Sequence, residues 1–317
     1  MPRHGEHSEH LLHPTMPSVK PCGLYRLELL EHFYTVLGIG VSIASDDPDI
    51  LDRIDETYAA FRCGVQPSPP VVELRLYRAA TEFGYIVSDG RMASQRWAHR
   101  QDALLDLMDR LVRALLDQFH SQGLYAVHAG AVAYRGRALI LAGRSNYGKT
   151  TLTLGLLQRG AQVLSDEFAM IEPRTECVLP YRRSLHVRPP TPSLVSELRF
   201  LEMLPRNDLG GGNVWTLSPA QLQHVFPDCL GAAAPLRYVL ILNGEACPGR
   251  QATITPLPPA QAAIELLRSA WGASIDFAGT LRAISTTLTR AVCARLQPGA
   301  LQLTLDMIAS WVEAHHD

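Results

Sequence analysis

The residues best suited to chemistry lie in the run Gly143-Arg144-Ser145-Asn146-Tyr147-Gly148-Lys149-Thr150. It fills every fixed position of the pattern G-x-x-x-x-G-K-[ST]. Glycines at both ends let the backbone turn its N–H groups inward around phosphate oxygens. Lys149 can place a point charge on the β- and γ-phosphates, and the Thr150 hydroxyl can face a Mg²⁺ ion. A helix beginning at this loop adds the positive end of its dipole, and Thr151 falls in its first turn. A random chain of this length meets the pattern about 1% of the time. The context narrows it further: RALILAG reads as a strand entering the loop, and KTTLTLGLLQRG as a helix leaving it, with Gly160 as its stop.

A phosphate loop needs acids for a metal and for a nucleophile. Asp166-Glu167 lies 17 residues after Lys149, far enough for one helix, one turn and one strand. The pair can therefore return beside the loop. One carboxylate could hold Mg²⁺ and the other could take a proton from an attacking hydroxyl. Arg182, Arg183 and Arg188 follow, and arginines near such a loop can neutralise phosphate charge; a solvated surface loop accounts for them equally well. Tyr147 is large for its place in the loop and could face nucleotide or solvent. His128, 21 residues before Lys149, has no role that its residue type alone assigns.

The elements that must position these residues can be read from the pattern. From Leu124, LYAVHAGAVAYRGRALILAG reads as two strands joined at Arg135-Gly136. AQVLSDEFAMIEP is another strand-like run, and LRYVLILNG a buried strand. PPAQAAIELLRSAWG and FAGTLRAISTTLTRAVCARL read as helices, and residues 175–235 as loops. An apolar helix closes the chain, as core or as interface. Alternating strands and helices imply an α/β domain with a mixed sheet over 122–317. Residues 22–121 form a smaller α+β domain. It holds a helix near Asp46–Phe61 capped by Asp46 or Asp47, a strand VVELRLYRA, a hairpin with an Asp89-Gly90 turn, and a long helix ending near Gly123. No residue there carries recognisable chemistry, which leaves a scaffold or substrate-docking role. Residues 1–21, with His4, His7, His10 and His13, read as a disordered leader, and Met16 is an alternative start.

Bulk properties exclude several classes. The 317 residues are 47% apolar and 19% charged, with a net charge of -2. No global field favours nucleic acid or an anionic membrane. The six cysteines are scattered, with no C-x-x-C pair, which points to reduced thiols in a reducing compartment. With no signal-like run at the N-terminus and no apolar stretch long enough to span a membrane, the cytoplasm is the expected location.

At VHAGAVAYRGRALILAGRSNYGKTTLTLGLLQRGAQVLSDEFAMI the chain resembles the HPr kinase/phosphorylase superfamily, whose P-loop fold is related to phosphoenolpyruvate carboxykinase. The resemblance runs from Tyr125 to Ile171, is loose beyond, and is absent before Leu124. It implies an ATP- and Mg²⁺-dependent phosphotransferase. Gly143, Gly148 and Lys149 would bind phosphates, with Arg144, Ser145, Asn146, Tyr147 and Thr151 completing the nucleotide loop. Thr150 would bind the metal together with Glu167, which stands where a second aspartate is usual. Asp166 would be the general base and His128 would orient it. The Glu-Arg-Gly-Leu-Gly-type segment of the bifunctional enzymes is missing, so neither phosphorylase activity nor HPr as substrate is implied. The chain is more similar to the stand-alone kinases of ribosomal-peptide biosynthesis, some of which resemble tailoring kinases of lasso-peptide precursors. The implied partner is a peptide or protein with a Ser or Thr acceptor. Relatives of the fold are often oligomers, so a homo-oligomer is also expected. A small-metabolite kinase on the same fold and a non-catalytic nucleotide-binding regulator are the alternatives. A carboxykinase is disfavoured because its substrate-side residues and second metal site are not found.

Overall fold

Two sheets and the helices packed on them dominate the chain. The computed structural model describes residues 29–68, 71–79, 84–89, 94–209, 212–246, 249 and 251–316. The expected leader, its four histidines and the alternative start lie outside the described residues, as do Cys22, Cys247 and Gly90 of the expected hairpin turn. The remaining four cysteines are free thiols. No helix among the described residues is long and apolar enough to cross a membrane.

The first sheet comprises β1 (Leu30–Val36), β2 (Ile39–Ser45), β3 (Arg62–Cys63), β4 (Val72–Arg78), β5 (Tyr85–Ser88) and β6 (Gln95–Trp97), in the order β3-β1-β2-β4-β5-β6. Helix α1 (Pro48–Tyr58) carries the chain from β2 to its parallel neighbour β4. It starts as its sequence dictates: the Asp47 side chain accepts from the Asp49 N–H, and Pro48 occupies the first turn. Helix α2 (Arg100–Ser121) follows, and its apolar stripe of Leu104, Leu107, Leu111 and Leu115 meets Ile43, Leu74 and Leu76 in one core. Leu124, Ala126, Met170 and Tyr181 join the same core from later in the chain.

The second sheet begins at β7 (Tyr125–Tyr134) and β8 (Arg137–Ala142), an antiparallel hairpin turning at Arg135 and Gly136, whose φ values are 52° and 75°. Helix α3 (Lys149–Leu157) follows the glycine loop. The strand-like run 161–173 is split into β9 (Gln162–Ser165) and β10 (Phe168–Glu172). Both halves lie antiparallel along β7, and the interruption falls at Asp166-Glu167. After β11 (Cys177–Leu179), residues 175–235 carry more order than loops. There are β12 (Leu185–Val187), α4 (Thr191–Leu194), β13 (Asn207–Leu209), β14 (Gly212–Leu217) and α5 (Pro219–Val225), with β12, β14 and β13 forming a third sheet. These elements are too short to show a period in sequence, which is why they read as irregular.

Strand β15 (Ala234–Leu242) lies parallel to β8 on one side and to β17 (Val292–Gln297) on the other, and β16 (Thr253–Pro256) borders β17. The helix expected across 277–296 is therefore corrected. Helix α7 (Phe277–Thr287) runs on into a short 3-10 turn at Leu288–Arg290, and the run VCARL is strand. A short apolar run cannot announce its type by period; the slot beside β15 decides it. Helices α6 (Pro259–Leu267) and α7 cover one face of the sheet. Helices α3 and α8 (Leu301–Ala314) cover the other, with Leu152 and Leu156 against Leu305, Ile308 and Val312. Strand β11 also pairs with β15, so β10, β7, β8, β15 and β11 close a ring.

The C-terminal helix is thus core on its inner face. Leu305 is 0% exposed and Leu303 61%. Leu305→Ala should lose about 2–5 kcal/mol of stability by chemical denaturation. Leu303→Ala should stay within about 0.5 kcal/mol of the parent. Equal losses would contradict this packing.

Candidate nucleotide site

Strand β8 ends where the glycine loop begins. Gly143 is required by crowding: a Cβ there would sit 2.8 Å from Leu242 Cβ on β15. Gly148 is required by conformation, with φ +88°, and Asn146 also has a left-handed backbone at φ 67°. Gly148 is the N-cap of α3, and no side chain caps that end. The first-turn N–H groups therefore face the cleft without a side-chain partner, which is how a helix start accepts an anion.

Lys149 is 8% exposed. Its Nζ donates to the carbonyls of Gly143 at 2.9 Å and Arg144 at 3.1 Å. The ammonium thus curls over its own loop. Burial lowers its pKa, and the charges of Asp166 and Glu167 oppose that shift. Thr150 Oγ1 donates to Asp166 Oδ2 at 3.0 Å, and the hydroxyls of Thr151 and Thr191 meet at 2.7 Å. The Arg188 guanidinium donates to Asn146 Oδ1 at 3.3 Å.

The acidic pair sits in register with β7. Ser165 pairs with Ala131, and the Ala129 N–H donates to the Glu167 carbonyl at 3.1 Å. Asp166 therefore stands opposite Gly130. That glycine has a packing reason, because a Cβ there would come 2.7 Å from Thr153 Oγ1 on α3. Its absence lets the helix approach β7 and brings Thr150 to the carboxylate. Asp166 Oδ1 is shut off from solvent and has no hydrogen-bond partner among the described residues. Burial raises the Asp166 pKa from 3.8 to about 7, with Thr150 and Lys149 opposing and Glu167 adding to the rise. Glu167 Oε2 accepts from Arg183 Nη1 at 2.7 Å.

His128 lines the same cleft and packs edge-on against Phe168, with ring centroids 5.8 Å apart. Burial lowers its pKa, Lys149 lowers it further, and Glu167 raises it through its charge and its backbone hydrogen bond. Asp166 lines the same cleft and accepts from the Thr150 hydroxyl. His186, unremarked in the sequence, also lines the cleft. Burial first, and then Arg183, push its pKa down to about 4. No spacing rule points to His186; it arrives on the short strand β12.

The cleft has a volume of about 750 Å³, within the range of small-molecule sites. Ser145 through Leu152, Asp166 and Glu167 line it on one side, and Pro298 to Leu301 with Thr304 border it elsewhere. Gly143 and Arg144 contribute through the carbonyls that hold Lys149. Arg183 and Arg188 line the cleft, whereas Arg182 is directed to the Gly231 carbonyl. Tyr147 lines the cleft and also packs on the α3/α8 core. The residues fit Mg²⁺ bound with a triphosphate. One hydroxyl and two carboxylates are hard oxygen donors, and the orphaned Asp166 Oδ1 lacks a partner. Among the described residues no cluster of three His, Cys, Asp or Glu could enclose a metal; Mg²⁺ takes its remaining ligands from phosphate and water.

No protein-family model matches the chain, and no curated protein matches it. Among solved structures, one similar chain is the Hpr(Ser) kinase/phosphatase from Coxiella burnetii. The match has 13% identity and a TM-score of 0.29, and covers 60% of this chain and 95% of that one. The fold and the cleft define a mixed α/β protein whose glycine-lysine loop opens onto an acidic pair.

The raised Asp166 pKa has a stability consequence. Between the ordinary value of 3.8 and about 7, the folded chain keeps a proton that the unfolded chain has lost. That contribution is present at low pH and falls as pH rises through the window, by roughly 1.4 kcal/mol per unit. His128 and His186, shifted down, act in the opposite sense below their ordinary value of 6.5. The comparison is therefore Asp166→Asn against the parent. The variant's stability advantage in urea denaturation should grow from pH 5 to pH 7. Parallel pH profiles would show that Asp166 ionises normally.

Proposed function

We propose that this chain is an ATP- and Mg²⁺-dependent phosphotransferase acting on a hydroxyl, with a serine of a peptide or protein as acceptor. The observation that carries the reading is the Thr150 hydroxyl bound to the Asp166 carboxylate at 3.0 Å, directly behind the glycine loop. A hydroxyl that could take a metal, a carboxylate and the start of a helix share one cleft, which supports the reading.

The backbone N–H groups from Ser145 to Thr150 would hold the triphosphate, and the Lys149 ammonium would turn from its own carbonyls to the phosphates. Mg²⁺, when bound, would neutralise charge on the phosphate oxygens, with Thr150 and Glu167 holding it. Asp166 would accept the proton of the acceptor hydroxyl while its oxygen bonds the γ-phosphorus and the bond to the β-phosphate breaks, releasing ADP. Such catalysis is mainly positioning and electrostatics. An apolar side chain at the cleft supports a peptide acceptor: Leu194 lines it at 43% exposure. The likeness of the whole chain to stand-alone kinases of ribosomal-peptide biosynthesis makes a precursor peptide of the lasso type the first acceptor to try.

Lys149→Ala and Asp166→Asn should each lower phosphate transfer from ATP to a serine peptide by at least about a hundredfold, with far-ultraviolet circular dichroism unchanged. Mass spectrometry of a precursor-peptide panel would read the transfer. Full activity in either folded variant would refute the mechanism. Transfer only to small metabolites would redirect the acceptor assignment and leave the phosphotransferase standing.

A further inference from the structure

Helix α1 reaches toward the acidic pair through Arg183. Helix α1 ends at Tyr58, which is 1% exposed. The Arg183 guanidinium lies over its ring, with Cζ 5.0 Å from the centroid. The Arg183 side chain is 9% exposed and donates to Glu167 Oε2 at 2.7 Å. The backbone is pinned at the same place: the Ser184 N–H donates to the Thr57 carbonyl at 3.0 Å, and the Ser184 hydroxyl to the Glu56 carbonyl. Phe61 stacks on Tyr181 with centroids 5.8 Å apart. Residues 181–184 are thus gripped by the end of α1 on one side and by Glu167 on the other.

A guanidinium can lie flat on an aromatic ring and still direct its edge donors to a carboxylate. Glu167 has a side chain 45% exposed, so the ion pair to Arg183 is what orients it. Without the ring beneath it, a buried cation loses its attractive surface and gains room to tilt. We infer that Tyr58 is a positioning residue for the acidic pair: by seating Arg183 it fixes the Glu167 carboxylate at the loop. The first sheet's unit is then part of the site, beyond any docking role, and a chain starting near residue 121 would lack this support. The inference rests on the phosphotransferase reading, in which Glu167 helps hold Mg²⁺.

The test is calorimetric titration of ATP into the full chain with and without Mg²⁺. Tyr58 does not line the cleft. Tyr58→Leu should therefore bind metal-free ATP within about twofold of the parent, while the affinity gained from Mg²⁺ falls at least fivefold. Tyr58→Phe, which keeps the ring, should restore that gain to within twofold. A folded Tyr58→Leu with the full Mg²⁺ gain would overturn the inference. If Tyr58→Leu shows no cooperative melting, Arg183→Lys replaces it; its ammonium lacks the flat face, and the same loss is expected. An undiminished gain there would overturn the inference equally. A parent protein that binds no ATP would remove the phosphotransferase reading and this inference with it, whereas an unaffected variant removes only the inference.

Discussion

The hydrogen bond from the Thr150 hydroxyl to the Asp166 carboxylate, 3.0 Å long, joins the two pieces on which the cleft is built. One piece is the start of α3, whose N-terminal end no side chain caps. The other is the break between β9 and β10, where the acidic pair leaves the strand while staying in register with β7. They meet where β7 has a glycine, which leaves room for α3. A side chain at Gly130 would crowd the Thr153 hydroxyl on α3. Gly143 plays the same part at the other end of the loop, against Leu242.

The site holds its charges under tension. Asp166 and Lys149 are both shifted toward their neutral forms, and burial is the leading cause for each. Their mutual attraction offsets only part of that. The ammonium spends its hydrogen bonds on the carbonyls of its own loop, and one carboxylate oxygen has none. A divalent cation carried by a polyphosphate would relieve both: it offers positive charge to the carboxylate and negative charge to the ammonium. Unpaired buried groups of this kind are expensive in a folded chain, and they are found where a ligand completes the pairing.

Legibility in the sequence followed the range of the interactions. The loop, its flanking strand and helix, the hairpin turn at Arg135-Gly136 and the Asp47 cap are local, and local spacing announces them. The strand β17 was hidden inside a helix-like stretch, because Cys293, Ala294 and Leu296 are apolar in either conformation. Only the neighbouring β15 makes them a strand. The short elements between residues 177 and 225 carry too few residues to show a period. His186 reaches the cleft from that region, so its place could not be read in advance; Arg183 is offered by residue type, with a solvated loop as the equal alternative. Nothing local tells that the Tyr58 ring lies under the Arg183 guanidinium, which arrives from a segment more than a hundred residues later. The resemblance from Tyr125 to Ile171 assigned His128 to orienting Asp166; the fold brings His128, Asp166 and Glu167 to the lining of one cleft.

The most direct measurement of the central claim is the backbone amide spectrum of ¹⁵N-labelled protein titrated with ATP and Mg²⁺. If the loop cradles a triphosphate, the amides of Ser145 to Thr150 shift first and furthest, and those of Asp166 and Glu167 move with them. Saturating nucleotide that leaves these amides in place, or shifts only residues outside the cleft, would contradict the account.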